Sequence, residues 1–138
     1  MERLSGIENT EIAKIPWSRI QPPGFAAFGR IYLRDAVWED YQSGNPKPET
    51  LATIKHEQTH IDRGLRVFAR YWLDRHFRFQ EELAATREEM KVLRKHAKPF
   101  DIDKRARDWS GAWYLWCTKY DTAKQKLEKM WAEIGKKE

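Results

Sequence analysis

Residues 48–64 read Pro-Glu-Thr-Leu-Ala-Thr-Ile-Lys-His-Glu-Gln-Thr-His-Ile-Asp-Arg-Gly. A proline suited to a first helical turn, apolar residues at Leu51, Ile54 and Ile61, and a closing Gly64 predict a helix that starts near Pro48–Thr50 and stops or bends at Gly64. His56 and His60 are four residues apart, so on that helix their rings project from one face, one turn from each other. This spacing suits two imidazoles sharing a zinc ion, with Glu57 facing the same cleft. Neutral imidazole binds zinc without cancelling its charge, and a carboxylate that is not itself a ligand remains free to move protons. The chemistry this pattern implies is metal-assisted hydrolysis of a peptide bond, with Glu57 as the catalytic acid–base and Zn2+ as the cofactor.

A catalytic zinc needs a third protein ligand and one open position. The metzincin arrangement places a histidine six residues after the second one, and Arg66 stands there instead. His76 is a ligand by type, but it falls before the next predicted helix, and His96 falls at that helix's far end. Glu81 and Glu82 lie within that helix, Phe77–His96, whose apolar positions are Phe79, Leu83, Met90 and Leu93. Either glutamate is well placed if the helix runs antiparallel beside residues 48–64.

Working outward, Gly29–Arg34 is rich in strand formers and predicts a short β-strand, with two roles open to it, the cleft's upper rim and a plain sheet edge. Residues 41–49, with Gly44, Asn45, Pro46 and Pro48, read as a loop. The run Leu65, Phe68, Ala69, Trp72 and Leu73 predicts a short connecting helix or a continuation after a kink. Asp101 or Asp103 suits a cap, and Trp109, Trp113, Trp116, Tyr120, Leu127, Met130, Trp131 and Ile134 then fall at mostly three- and four-residue steps. That predicts one long amphipathic helix over 103–135, bent near Gly111, with its aromatic stripe in the core or, towards Trp131 and Ile134, against a protein partner. Before Gly29, the prolines at 16, 22 and 23 predict an irregular arm over 1–28, anchored by Trp17, Phe25 and Phe28.

A chain of 138 residues fits a single domain (1–138), with a metal-binding core at 29–98. Charged residues make up 34% of it, no apolar stretch approaches the length needed to cross a bilayer, and no apolar run near the start resembles a signal-peptide core. The expected location is the cytoplasm or a virion. Cys117 is the only cysteine, so any metal must be held by histidine and carboxylate. The net charge of +5 is spread along the chain, and no nucleic-acid partner is expected from it.

These features together resemble the gluzincin-type zinc metallopeptidases, in particular small single-domain versions among phage and bacterial proteins. The resemblance rests on Gly29–Leu33, His56–His60, Phe68–Leu73 and Glu81-Glu82-Leu83-Ala84-Ala85, roughly half the chain. It implies an α+β fold that is mainly helical with a small β element, in which a zincin-like HExxH helix packs on a glutamate-bearing helix. The family's glutamate followed three residues later by alanine fits both Glu81 and Glu82; Glu82 is preferred because Thr86 and Glu89 then fall where the family has polar partners. Tyr71 and Tyr114 are candidates by chemistry for holding an oxyanion. The implied activity is peptide hydrolysis on a peptide or protein substrate. The alternative is a phage-associated assembly protein that retains the metal site and meets its partner through the aromatic C-terminal helix.

Overall fold

The computed structural model describes residues 10–17, 22–64 and 68–136. It is mainly helical with one small three-stranded sheet. The rest of the expected arm, residues 1–9 and 18–21, and the Leu65 start of the connecting run lie outside the described residues.

The stretch expected to be an irregular arm supplies two of the three strands, β1 (Glu11–Lys14) and β2 (Gly24–Ala27). The third, β3 (Arg30–Leu33), is the strand foreseen from the sequence. β2 and β3 form an antiparallel hairpin whose two-residue turn, Phe28-Gly29, has positive φ at both positions, the geometry that matches strand twist. Phe28 is therefore fully exposed at the turn and does not anchor the segment; Phe25 does, stacked between Trp17 and Tyr32. β1 joins the other side of β3 in parallel, with Ile12 opposite Ile31. β3 is thus central and bonded along both edges, so it is not a free rim; β2 is the edge that lies over the helix carrying the histidines.

Ile31 and Leu33 point from the sheet onto Ile54 of α2 (Pro48–Asp62), and all three are buried. Gly24 permits the close approach of β2 to this helix. A Cβ there would stand 3.2 Å from Thr53 Cγ2 and 3.1 Å from the Tyr32 carbonyl oxygen. Between sheet and helix the chain forms α1 (Asp35–Gln42), an element the sequence reading did not foresee. Asp40 of α1 accepts from the backbone N–H of Lys47 at 2.8 Å and from the Thr50 hydroxyl at 2.6 Å. That single carboxylate fastens the loop at 43–47 to the first turn of α2, where Pro48 leaves no N–H to satisfy.

α3 (Phe68–Leu73) leads into α4 (Arg75–Lys95), which starts where the Asp74 side chain accepts from the Phe77 N–H. α4 runs antiparallel to α2: Arg63 meets Glu81, His60 meets Glu82, and Ala52 meets Val92 and Leu93.

The helix expected over 103–135 is two helices, α5 (Ile102–Trp109) and α6 (Tyr120–Lys136), separated by a 3-10 turn at Ala112–Tyr114. Leu115 and Trp116 are left-handed, which ends any helical run. The carbonyls of Tyr114 and Leu115 are taken by the buried guanidinium of Arg78, which also holds the carbonyls of Tyr71 and Trp72. The aromatic stripe accordingly divides. Trp109 is wholly buried among Phe79, Met90, Ala106, Leu127 and Met130, whereas Trp113 and Trp116 are exposed. Trp131 is half-buried under the Arg94 guanidinium, which sits 3.7 Å from its ring, and Ile134 is buried. No helix among the described residues is long and apolar enough to cross a membrane.

Candidate metal centre

The antiparallel pairing of α2 and α4 brings His56, His60 and Glu82 together in the interior, all three buried. His56 Nε2 and His60 Nε2 are 3.2 Å apart; Glu82 Oε2 is 3.2 Å from His56 Nε2, and Oε1 is 3.4 Å from His60 Nε2. A tetrahedral ion with bonds of about 2.0–2.1 Å has ligand atoms about 3.3–3.4 Å from one another, so this spacing suits two nitrogens and one oxygen on a single small cation.

Two further observations fit a bound cation. Glu82 Oε2, on the side that faces His56 Nε2, is buried without a hydrogen-bond partner, an arrangement costly to maintain unless something else satisfies it. Charge points the same way. Glu57, Glu82 and Glu89 are buried here against the guanidinium of Arg105, an acidic surplus that a bound cation would offset. Burial works against a charge on His56, but contacts with Glu82 and Glu89 outweigh it and push its pKa up to about 10. Glu82 is buried as well, yet the His60 and His56 rings beside it hold its carboxyl well below the usual range.

Glu81 is turned away from this cluster. Its carboxylate accepts from Arg63 Nε and Nη2 at 2.9–3.0 Å, at the end of α2. His76 is exposed on the first turn of α4, and His96 lies beside the Val92 carbonyl at the helix's last turn, so neither joins the histidine pair.

Glu57 is buried and makes none of the close contacts that join the other three, but it lines the same cavity as His56. Burial raises its pKa, with His56 and His60 partly opposing the rise. The cavity, of about 240 Å³, is bounded by Pro22, Pro23 and Gly24 from the β2 side and by Phe100, Arg105 and Tyr114 from the α5 side. Tyr71 donates a hydrogen bond from its hydroxyl to Glu82 Oε1. Burial and the Glu82 charge both push the phenol pKa of Tyr71 up, and burial does the same for Tyr114, so both hydroxyls stay protonated and able to donate.

Behind the candidate ligands, sequence reasoning named Glu89 as a polar partner and missed Arg105. Glu89 Oε1 lies 3.3 Å from His56 Nδ1, and Arg105 from α5 bonds Glu89. Glu89 was legible as a polar position on the glutamate helix. Arg105 carried no signal, because its role depends on how α5 folds back over α4. Compared with known proteins, the chain matches no family model, no curated protein and no solved structure.

Proposed function

We propose that this protein is a zinc-dependent metallopeptidase in which His56, His60 and Glu82 hold the ion and Glu57 is the catalytic acid–base. The observation that carries this reading is the convergence of two imidazole nitrogens and one carboxylate at 3.2–3.4 Å, with a buried glutamate, Glu57, that lines a cavity together with His56. The donor set favours zinc over calcium or magnesium, which take oxygen ligands in larger numbers. The chemistry a zinc ion supplies in such a site is activation of a water molecule and polarisation of the scissile carbonyl.

Glu57 takes the water's proton at its carboxylate and later delivers it to the leaving amine. Tyr114 offers a hydroxyl donor to the negative charge that develops on the carbonyl oxygen, while the Tyr71 hydroxyl is engaged in orienting Glu82. Pro22, Pro23 and Phe100 make part of the wall apolar, which shields the proton transfers from bulk solvent.

A second reading has its own observation. Trp72, Leu73, Trp113, Leu115 and Trp116 are exposed, and the backbones on which they sit are brought together by Arg78. Such a surface suits an assembly protein, of a phage particle for instance, that keeps the metal site and meets a protein partner. The partner surface is then the turn between α5 and α6 together with the end of α3, and not the face of one long helix.

Metal analysis of protein purified without chelators or a histidine tag, followed by incubation with a mixed peptide library, separates these readings. Stoichiometric zinc with cleavage products that vanish on chelation is the expected result. Protein that binds no zinc sinks the metallopeptidase reading, and zinc without any cleavage across a broad library favours the assembly protein.

A further inference from the structure

The geometry points to Arg105 as a positioning residue of the metal centre: we propose that it clamps Glu89 against His56, so that α5 is a working part of the centre. This rests on the metal-centre reading above and concerns a residue on a different helix from any of the three ligands.

Arg105 has one well-defined pose. Nη1 donates to the Thr86 hydroxyl at 2.9 Å, and the guanidinium carbon lies 5.0 Å from the centre of the Phe100 ring. Held in that way, Nη2 reaches both oxygens of Glu89, at 2.7 and 3.1 Å. The pair is mostly screened from solvent, with side-chain exposures of 20% for Arg105 and 9% for Glu89. Truncating either partner would leave a poorly solvated charge behind, unlike the loss of a surface pair.

What Glu89 faces gives the clamp its purpose. Its Oε1 is 3.3 Å from His56 Nδ1, and a carboxylate on that side favours a proton on Nδ1, which leaves the Nε2 lone pair for a cation. Neither Nδ1 makes a hydrogen bond of good geometry among the described residues, but only His56 Nδ1 has a carboxylate beside it. A carboxylate behind the ring is therefore supplied on the His56 side only, through Glu89. Without Arg105, Glu89 loses the bonds that fix its rotamer, and the three buried carboxylates of the site lose the cation that lowers their mutual repulsion.

The test is a double-mutant cycle on zinc affinity, measured by competition with a chromophoric chelator and paired with the visible spectrum of the Co2+-substituted protein. Removing a partner of this kind typically weakens metal binding about 10- to 100-fold. Arg105→Gln and Glu89→Gln are each expected to show that loss and the same shift in the Co2+ bands, while the double variant loses no more than the worse single one. Arg105→Lys keeps the charge but not the fork that spans Thr86 and Glu89, so it should recover part of the loss in the wild-type background and have no effect in the Glu89→Gln background.

Wild-type affinity and unchanged Co2+ bands in Arg105→Gln would overturn the inference, as would losses that multiply in the double variant. If Arg105→Gln does not fold, Arg105→Lys decides: an equal effect with and without Glu89, or no effect in either background, overturns it. A wild type that binds no metal defeats the metal-centre reading itself, an outcome recognisable before any variant is made.

Discussion

Glu81 and Glu82 are adjacent in the chain and both buried, yet their carboxylates lead to different partners: Glu82 to the two histidines, Glu81 to Arg63. Successive helical positions are about 100° apart, so the two side chains leave α4 in different directions. Glu82→Gln is expected to abolish stoichiometric zinc, as are His56→Ala and His60→Ala. Glu81→Gln should keep zinc bound and cost only about 0–1 kcal/mol of stability, because Arg63 is 46% exposed and can return to water. Zinc content and thermal unfolding of the two glutamine variants, side by side, check this; loss of zinc in Glu81→Gln alone would reverse the assignment.

Glu57 lines the cavity without joining the ligand cluster, so metal content and turnover should separate in Glu57→Gln. The expected outcome is wild-type zinc with a rate lower by about a hundred- to ten-thousand-fold, the usual worth of positioned acid–base assistance. Stopped-time assays on a cleavable peptide from the library measure it. Equal turnover in the two proteins would remove Glu57 from the mechanism.

Zinc that binds the folded chain alone must stabilise it by mass action. At free zinc a hundred times the dissociation constant, the gain is about 2.7 kcal/mol, and thermal midpoints with added zinc and with excess chelator should differ accordingly. An unchanged midpoint would mean that the cluster holds no ion with useful affinity.

The Thr50 hydroxyl and the Lys47 N–H hold the Asp40 pKa below its usual value of 3.8. A carboxylate depressed in the folded state contributes stability that is fully present above its unfolded pKa and is lost as pH falls through the folded one. Acid unfolding followed by circular dichroism should show Asp40→Asn with lower stability at pH 6 than wild type, and a difference that shrinks below about pH 4. A constant difference across that window would mean that the carboxylate's charge is irrelevant to fastening α1 onto α2.

Much of the helical frame was legible before the structure. α2 announced itself by Pro48, Gly64 and its apolar positions, and α4 by its apolar period. The faces that carry the candidate ligands followed from helical geometry, up to the choice between Glu81 and Glu82, which the pairing of Glu81 with Arg63 at the end of α2 separates. β1 and β2 were missed because they are four residues each and sit among prolines, and their support comes from distant pairing and packing rather than from local pattern. The long aromatic helix was misread for a related reason. Trp109, Trp113 and Trp116 keep helical spacing, but Arg78 takes the carbonyls of Tyr114 and Leu115 that a continuous helix would use, and local spacing carries no trace of a partner 36 positions away.

Arg78 also ties the fate of distant segments together. Its buried guanidinium meets four backbone carbonyls, two at the end of α3 and two in the turn before α6. Opening either segment strands the same cation, so neither can fray alone at low cost. In native-state hydrogen exchange, amides around Tyr71–Leu73 and around Tyr114–Trp116 are expected to share one opening free energy and to lose protection together in Arg78→Gln. The two stretches would then behave as one cooperative opening unit, with Tyr71 and Tyr114 released from the site in a single event.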